Sequence, residues 1–247
     1  MENRVALKKG YPTIVKAWLI IGLFMLVMQV VIGGITRLTG SGLSITKWEI
    51  VTGAMPPLNE AAWMSEFDLY KATPQYQKIN EGMSLSEFKF IYFWEYLHRL
   101  WARTMGFVFL IPFLIFWRKG YIDKPLMKRL GIVVLLAAIV AAFGWIMVAS
   151  GLVDRPWVNA YKLTLHLSLA LVVFGYLLWT TFFTYDTPKA ASWVTEDLKG
   201  GINILFGLVI IQIMLGGLMS GMHAALVYPT WPLMHDSFLP GLIFEGE

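Results

Sequence analysis

The 247-residue chain contains no cysteine, which excludes disulfide staples, zinc–thiolate sites and thiolate-ligated iron. Charge is almost as scarce. Only 15% of residues are Asp, Glu, Lys or Arg, against about 25% in soluble globular domains. With 57% hydrophobic residues, 11 Trp and a mean hydropathy of +0.61, this shortage excludes an ordinary soluble domain. The 20 basic residues against 16 acidic ones sit in short connections between apolar runs and make no basic face. Nucleic-acid binding is therefore excluded as well. The first apolar run is too long for a signal-peptide core, and no small-residue cleavage pattern follows it.

What remains is membrane-spanning helix, which needs about 20 apolar residues per crossing. Ala17–Thr36, Leu130–Val153, Leu163–Tyr185 and Gly200–Met219 qualify. A fifth span, within Lys89–Arg118, carries Glu95, His98, Arg99 and Arg103 but is otherwise too apolar for a loop. Ser84 and Glu87 ahead of it read as a capping box, with Met83 and Phe88 as its hydrophobic staple. Basic residues gather in the N-terminal segment (Arg4, Lys8, Lys9, Lys16) and after the second span (Arg118, Lys119, Lys124, Lys128, Arg129). The turn after the third span has Arg155 alone. This bias places the N-terminus inside and the C-terminal tail outside. The outer loop, residues 37–89, is too long to be a mere connector. Its Trp63, Phe67 and Tyr70 have helical spacing, which predicts a short interfacial helix and an ordered lid.

An internal repeat is visible. Gln29-Val-Val-Ile-Gly33-Gly34 matches Gln212-Ile-Met-Leu-Gly216-Gly217 at an offset of 183 residues. The same offset pairs Leu43 with Leu226, Trp48 with Trp231 and Pro57 with Pro240. The expected fold class is thus all-α integral membrane: a four-helix bundle (residues 1–185) plus the first helix of a second, repeated bundle (residues 186–247). By this reading the chain is a fragment short of about three helices.

Ionisable residues within spans are functional candidates by default. At 100° per residue Glu95, His98, Arg99 and Arg103 fall within about 140° of one another, so they share a face. Lys162 and His166 share a face one turn apart. His98 lies roughly 15 Å, and His166 roughly 12 Å, from the outer helix ends. Two imidazoles at matched depth suit a bis-histidine heme; the alternative is that each only hydrogen-bonds across helices. Arg99 and Arg103 would offset heme propionates, with Arg37 and Lys162 as further candidates. Glu95 reads either as a proton acceptor and charge stabiliser or as a salt-bridge partner of Arg99. His223 and His235 are expected at the membrane interface.

The run Gly33-Gly34-Ile-Thr-Arg37-Leu-Thr-Gly-Ser-Gly-Leu-Ser-Ile-Thr-Lys-Trp48, with Thr52-Gly-Ala-Met-Pro-Pro-Leu-Asn59, Glu87-Phe-Lys-Phe90 and Glu95-Tyr-Leu-His98-Arg99, resembles the heme A synthase family along the whole chain, in its cysteine-free mitochondrial and proteobacterial branch. The resemblance implies an oxidoreductase that converts the C8 methyl of heme O to the formyl group of heme A, for cytochrome oxidase assembly. It implies eight helices in two similar halves. It assigns His98 and His166 as axial ligands to the iron of substrate heme O, and Glu95 as the catalytic carboxylate. A cofactor heme b belongs to the second half, whose histidine pair has no counterpart here, so the chain alone is expected to be inactive. The implied setting is a bacterial inner membrane, or the mitochondrial inner membrane as alternative. Heme O synthase, oxidase assembly factors and a second copy of the chain are the implied partners. A cytochrome b-like bis-histidine electron carrier and a transporter with a gated charged path are the competing readings.

Overall fold

The computed structural model describes residues 10–47, 55–152, 156–185 and 196–227, together with 230, 233–234 and 237–238. Trp48, the Thr52–Ala54 part of the outer-loop motif, Arg155, Trp231, His235, the boundary at 186 and the N-terminal Arg4, Lys8 and Lys9 lie outside the described residues. The described residues form helices: α1 (Thr13–Leu38), α2 (Glu60–Lys71), α3 (Pro74–Lys78), α4 (Leu85–Arg118), α5 (Lys124–Gly151), α6 (Ala160–Phe183), α7 (Glu196–Met222) and α8 (Ala224–Val227). Five of them, α1, α4, α5, α6 and α7, are long and apolar enough to cross a membrane. These are the five expected spans, so the protein is an all-α integral membrane protein.

Each span begins before its apolar run, and in α4, α5 and α6 a side-chain cap sets that start, while α5 and α6 end two residues short of theirs, at Gly151 and Phe183. Asn159 caps α6 by accepting from the Tyr161 and Lys162 amides. Asp123 caps α5, whose first residue Lys124 lies six before the expected start at Leu130, by accepting from the Leu126 amide at 3.0 Å. The capping box of Ser84 and Glu87 on α4 is present in full.

The spans pack as a chain of neighbours: α4 on α1, α1 on α6, and α6 on both α5 and α7. The apolar core lies where α1, α4, α5 and α6 approach their inner ends, built from Val15, Trp18, Leu19, Phe116, Leu126, Leu130, Val173 and Leu177. Tyr11 ties the inner ends by donating to Asp123 Oδ1 at 2.7 Å. Burial and the Asp123 carboxylate push the Tyr11 phenol up from its ordinary value. Between α6 and α7 the contact is made by small residues. A Cβ on Gly217 would lie 2.9 Å from Thr164 Oγ1, and one on Gly221 only 2.5 Å from Ala160 Cα, the close approach expected of small-xxx-small packing in lipid.

Pro112 stands inside α4 and leaves the Val108 carbonyl without its helical donor. The Trp18 indole of α1 supplies one at 3.0 Å. Trp101 returns the favour by donating to the Met25 carbonyl at 2.9 Å. In a bilayer such satisfaction is obligatory rather than decorative.

The expected interfacial helix is α2, capped by Asn59; α3 was not foreseen. Phe67 and Tyr70 stack on Phe88 of α4 at 4.9 and 5.1 Å between ring centroids, and Trp63 meets Tyr92 edge-on at 5.0 Å. Residues 60–78 therefore form an ordered cap on the outer end of α4.

Candidate functional site

The polar face of α4 turns away from lipid. Phe90 and Phe93, on the opposite side, are exposed, while Glu95 is only 3% accessible. Its carboxylate is bonded through both oxygens. Oε2 accepts from Ser44 Oγ and from the Ile45 amide, each at 2.8 Å. Oε1 accepts from Arg99 Nε at 3.1 Å and Nη2 at 2.5 Å, and Arg99 Nη2 also reaches the Ile45 carbonyl at 3.3 Å. Glu95 and Arg99 thus fasten the segment after α1 onto α4. That segment carries buried Ser41, Leu43 and Ser44, and Leu43 rests against Gly151 at the end of α5.

His98, one turn further in, packs its ring against α1. A Cβ on Gly33 would lie 3.0 Å from His98 Nε2, and the Gln29 amide nitrogen stands 2.9 Å from the same atom. His166 is seated likewise on α5, where a Cβ on Gly144 would lie 3.0 Å from its Cε1. Its Nδ1 is buried without a hydrogen-bond partner among the described residues. Gly33 lies five residues before the end of α1 and Gly144 seven before the end of α5, roughly 8 and 10 Å at 1.5 Å per residue. Each imidazole thus packs on a glycine near the outer end of a neighbouring helix, whereas on their own helices His98 lies 13 residues from the start of α4 and His166 six from the start of α6. The two glycines make room for imidazoles that lie directly on the backbones of neighbouring helices.

Arg103 lies one turn below Arg99 on the same face, and Lys162 one turn above His166, half-buried. Arg37 engages α7 instead. It donates to the Ser220 carbonyl and, through Nη2, to His223 Nε2 at 3.0 Å. His223 has a positive φ of 55° and meets Trp157 edge-on at 5.6 Å. Burial and the Arg37 guanidinium hold its imidazole below the ordinary value.

Sequence reasoning missed Gln29, Gly33 and Gly144 as site residues. Gln29 and Gly33 stood out only for the repeat, although a glutamine in an otherwise apolar span signals a polar partner on a neighbouring helix. Ser44 and Ile45 were quoted in the outer-loop motif but not joined to Glu95, since a contact across some fifty residues of chain has no local signal.

The chain matches the COX15-CtaA family, cytochrome oxidase assembly protein, over residues 16–245, and it belongs to that family. It is 45% identical over 229 residues to the heme A synthase of Parvibaculum lavamentivorans, an alignment covering 92% of this chain and 66% of that protein. It is 43% identical to that of Paramagnetospirillum magneticum, covering 99% and 70%, and 46% identical to that of Agrobacterium fabrum, covering 94% and 63%. The chain spans about two thirds of the length of these curated relatives. No solved structure matches it.

Proposed function

We propose that this member of the COX15-CtaA family binds heme O between His98 and His166 and takes part in its oxidation to heme A, as a heme A synthase of a bacterial inner membrane. The observation that carries the reading is the seating of these two imidazoles, each against a glycine near the outer end of a neighbouring span. The likeness to bacterial heme A synthases supports the same reading and favours it over the electron carrier.

Oxidation of the methyl to a formyl group removes four electrons, which an oxidant from outside these residues must accept; the chain's own residues bind and position the substrate. His98 and His166 would hold its iron. Arg99 and Arg103 offer positive charge to the propionates, Arg99 being oriented by Glu95, with Arg37 and Lys162 further towards the outer rim. Glu95, one turn from His98, places an ion-paired carboxylate where positive charge developing at the substrate methyl is stabilised. Its bonds to Ser44 and Ile45 close the outer segment over the site and limit access of water. Heme O synthase is the supplier this chemistry needs, and oxidase assembly factors are the recipients.

Residues 1–185 and 186–247 are, in this proposal, one unit and the beginning of another. The repeat offset supports it: Arg37 reaches the carbonyl of Ser220, 183 residues on. That is the contact expected of equivalent positions facing each other across a two-fold relation. The test is expression in cells that make heme O. Copurified heme O with a low-spin spectrum, lost in His98→Ala and His166→Ala, is the expected result for the site. Heme A in the pigment extract marks oxidation. Protein that retains neither heme O nor heme A overturns the proposal.

A further inference from the structure

Gln29 makes a contact that the proposed reaction does not use. Its amide nitrogen lies 2.9 Å from His98 Nε2 and 3.3 Å from the His98 carbonyl oxygen. A carbonyl only accepts, so the amide must turn its NH2, not its oxygen, to that side. The same NH2 then donates to Nε2, which must present its lone pair. Gln29 Oε1 is left buried with no hydrogen-bond partner among the described residues. The amide is thus held in one orientation by His98 at the expense of its own oxygen.

The lone pair that accepts from Gln29 is the one an iron ion takes, and it cannot serve both. Gly33, one turn along α1, leaves the ring close against the helix that carries Gln29. We propose that Gln29 is a latch for the iron ligand: it captures His98 Nε2 whenever iron lets go, and so keeps heme on this pair exchangeable. The inference rests on the proposed ligand role of His98 and deepens it. A permanent cofactor gains nothing from a competitor for its axial ligand, whereas a substrate that leaves as product does.

A hydrogen bond of ordinary net worth weakens heme retention by about two- to tenfold. The whole chain in detergent, loaded with ferric protoporphyrin IX, is mixed with excess apomyoglobin, and transfer is followed in the Soret band. Gln29→Leu is expected to release heme two- to tenfold more slowly than the unaltered chain. Gln29→Met, of similar length and flexible, gives the same reading should the leucine variant misfold. Release at an unchanged or faster rate, with the low-spin spectrum retained, overturns the latch. His98→Ala separates the two ideas: if it keeps the low-spin spectrum, His98 is not the ligand, and the underlying reading fails with the latch.

Discussion

The indole nitrogen of Trp18 donates at 3.0 Å to the carbonyl of Val108, the one carbonyl in α4 that Pro112 deprives of a helical donor. One helix therefore repairs the defect of another, at the inner half of the interface that also carries Gln29 and His98 towards the outside. Trp18→Phe should keep most of the packing and lose the bond, costing on the order of 1 kcal/mol. In a Pro112→Ala background the amide at 112 supplies the donor itself, and the same substitution should cost distinctly less. Unfolding in mixed micelles measures both. Equal costs in the two backgrounds would show that the indole acts by shape alone.

The glycine cradles make a second test. Gly144→Ala brings a methyl to 3.0 Å from His166 Cε1, whereas Gly131→Ala on the same helix meets nothing within 4 Å. The first should weaken heme binding by about tenfold, a modest overpacking cost. The second should leave binding alone and stabilise the helix by roughly 0.5–1 kcal/mol. Heme titration and thermal unfolding read the two effects separately. Equal heme affinity in both variants would remove Gly144 from the site.

His223 accepts from Arg37 and is held below its ordinary value of 6.5, so its contribution has a definite sign. A group depressed in the folded state stabilises above its unfolded value and loses that contribution as pH falls through the folded one. Once the pH falls through the folded value, which lies below 6.5, the added proton removes the acceptor and faces the Arg37 guanidinium. The contact between the ends of α1 and α7 should therefore loosen on acidification. A fluorophore on Ser220→Cys, unique in a cysteine-free chain, should report greater mobility at pH 5 than at pH 7.5. In His223→Gln the difference should vanish.

Five spans, the capping box on α4 and the aromatic cap of α2 were legible because each is a local pattern: apolar length, a Ser-x-x-Glu spacing, aromatic residues at helical intervals. The shared face of Glu95, His98, Arg99 and Arg103 was legible for the same reason. What stayed hidden were partners on other elements. Nothing near residue 29 says that its amide will meet residue 98, and nothing near 144 says that its missing side chain makes room for 166. Helix ends were misplaced where Asp123 and Asn159 cap beyond the apolar run. Hydropathy measures the stretch inside lipid, whereas capping fixes where the backbone stops being helical.

Glu95 has two tasks, since its carboxylate both pairs with Arg99 and fastens Ser44 and Ile45. Two substitutions separate charge from fastening. Ser44→Ala removes one 2.8 Å bond to the carboxylate and leaves the charge in place. Glu95→Gln keeps the shape and an acceptor for the Ile45 amide, but removes the charge and puts an NH2 near one of its former donors. If the carboxylate works by stabilising positive charge on the substrate, Ser44→Ala, made at the matching position of a full-length heme A synthase, retains most heme A per unit of folded protein. Glu95→Gln then loses it by a hundredfold or more, about the loss on removing one well-placed electrostatic group, while still binding heme O. If it works by holding the outer segment closed, the two variants fall together, and both become easier to cleave by protease within residues 39–47. Near-normal heme A in Glu95→Gln would deny the carboxylate any part in the chemistry and leave it as the staple of the outer segment.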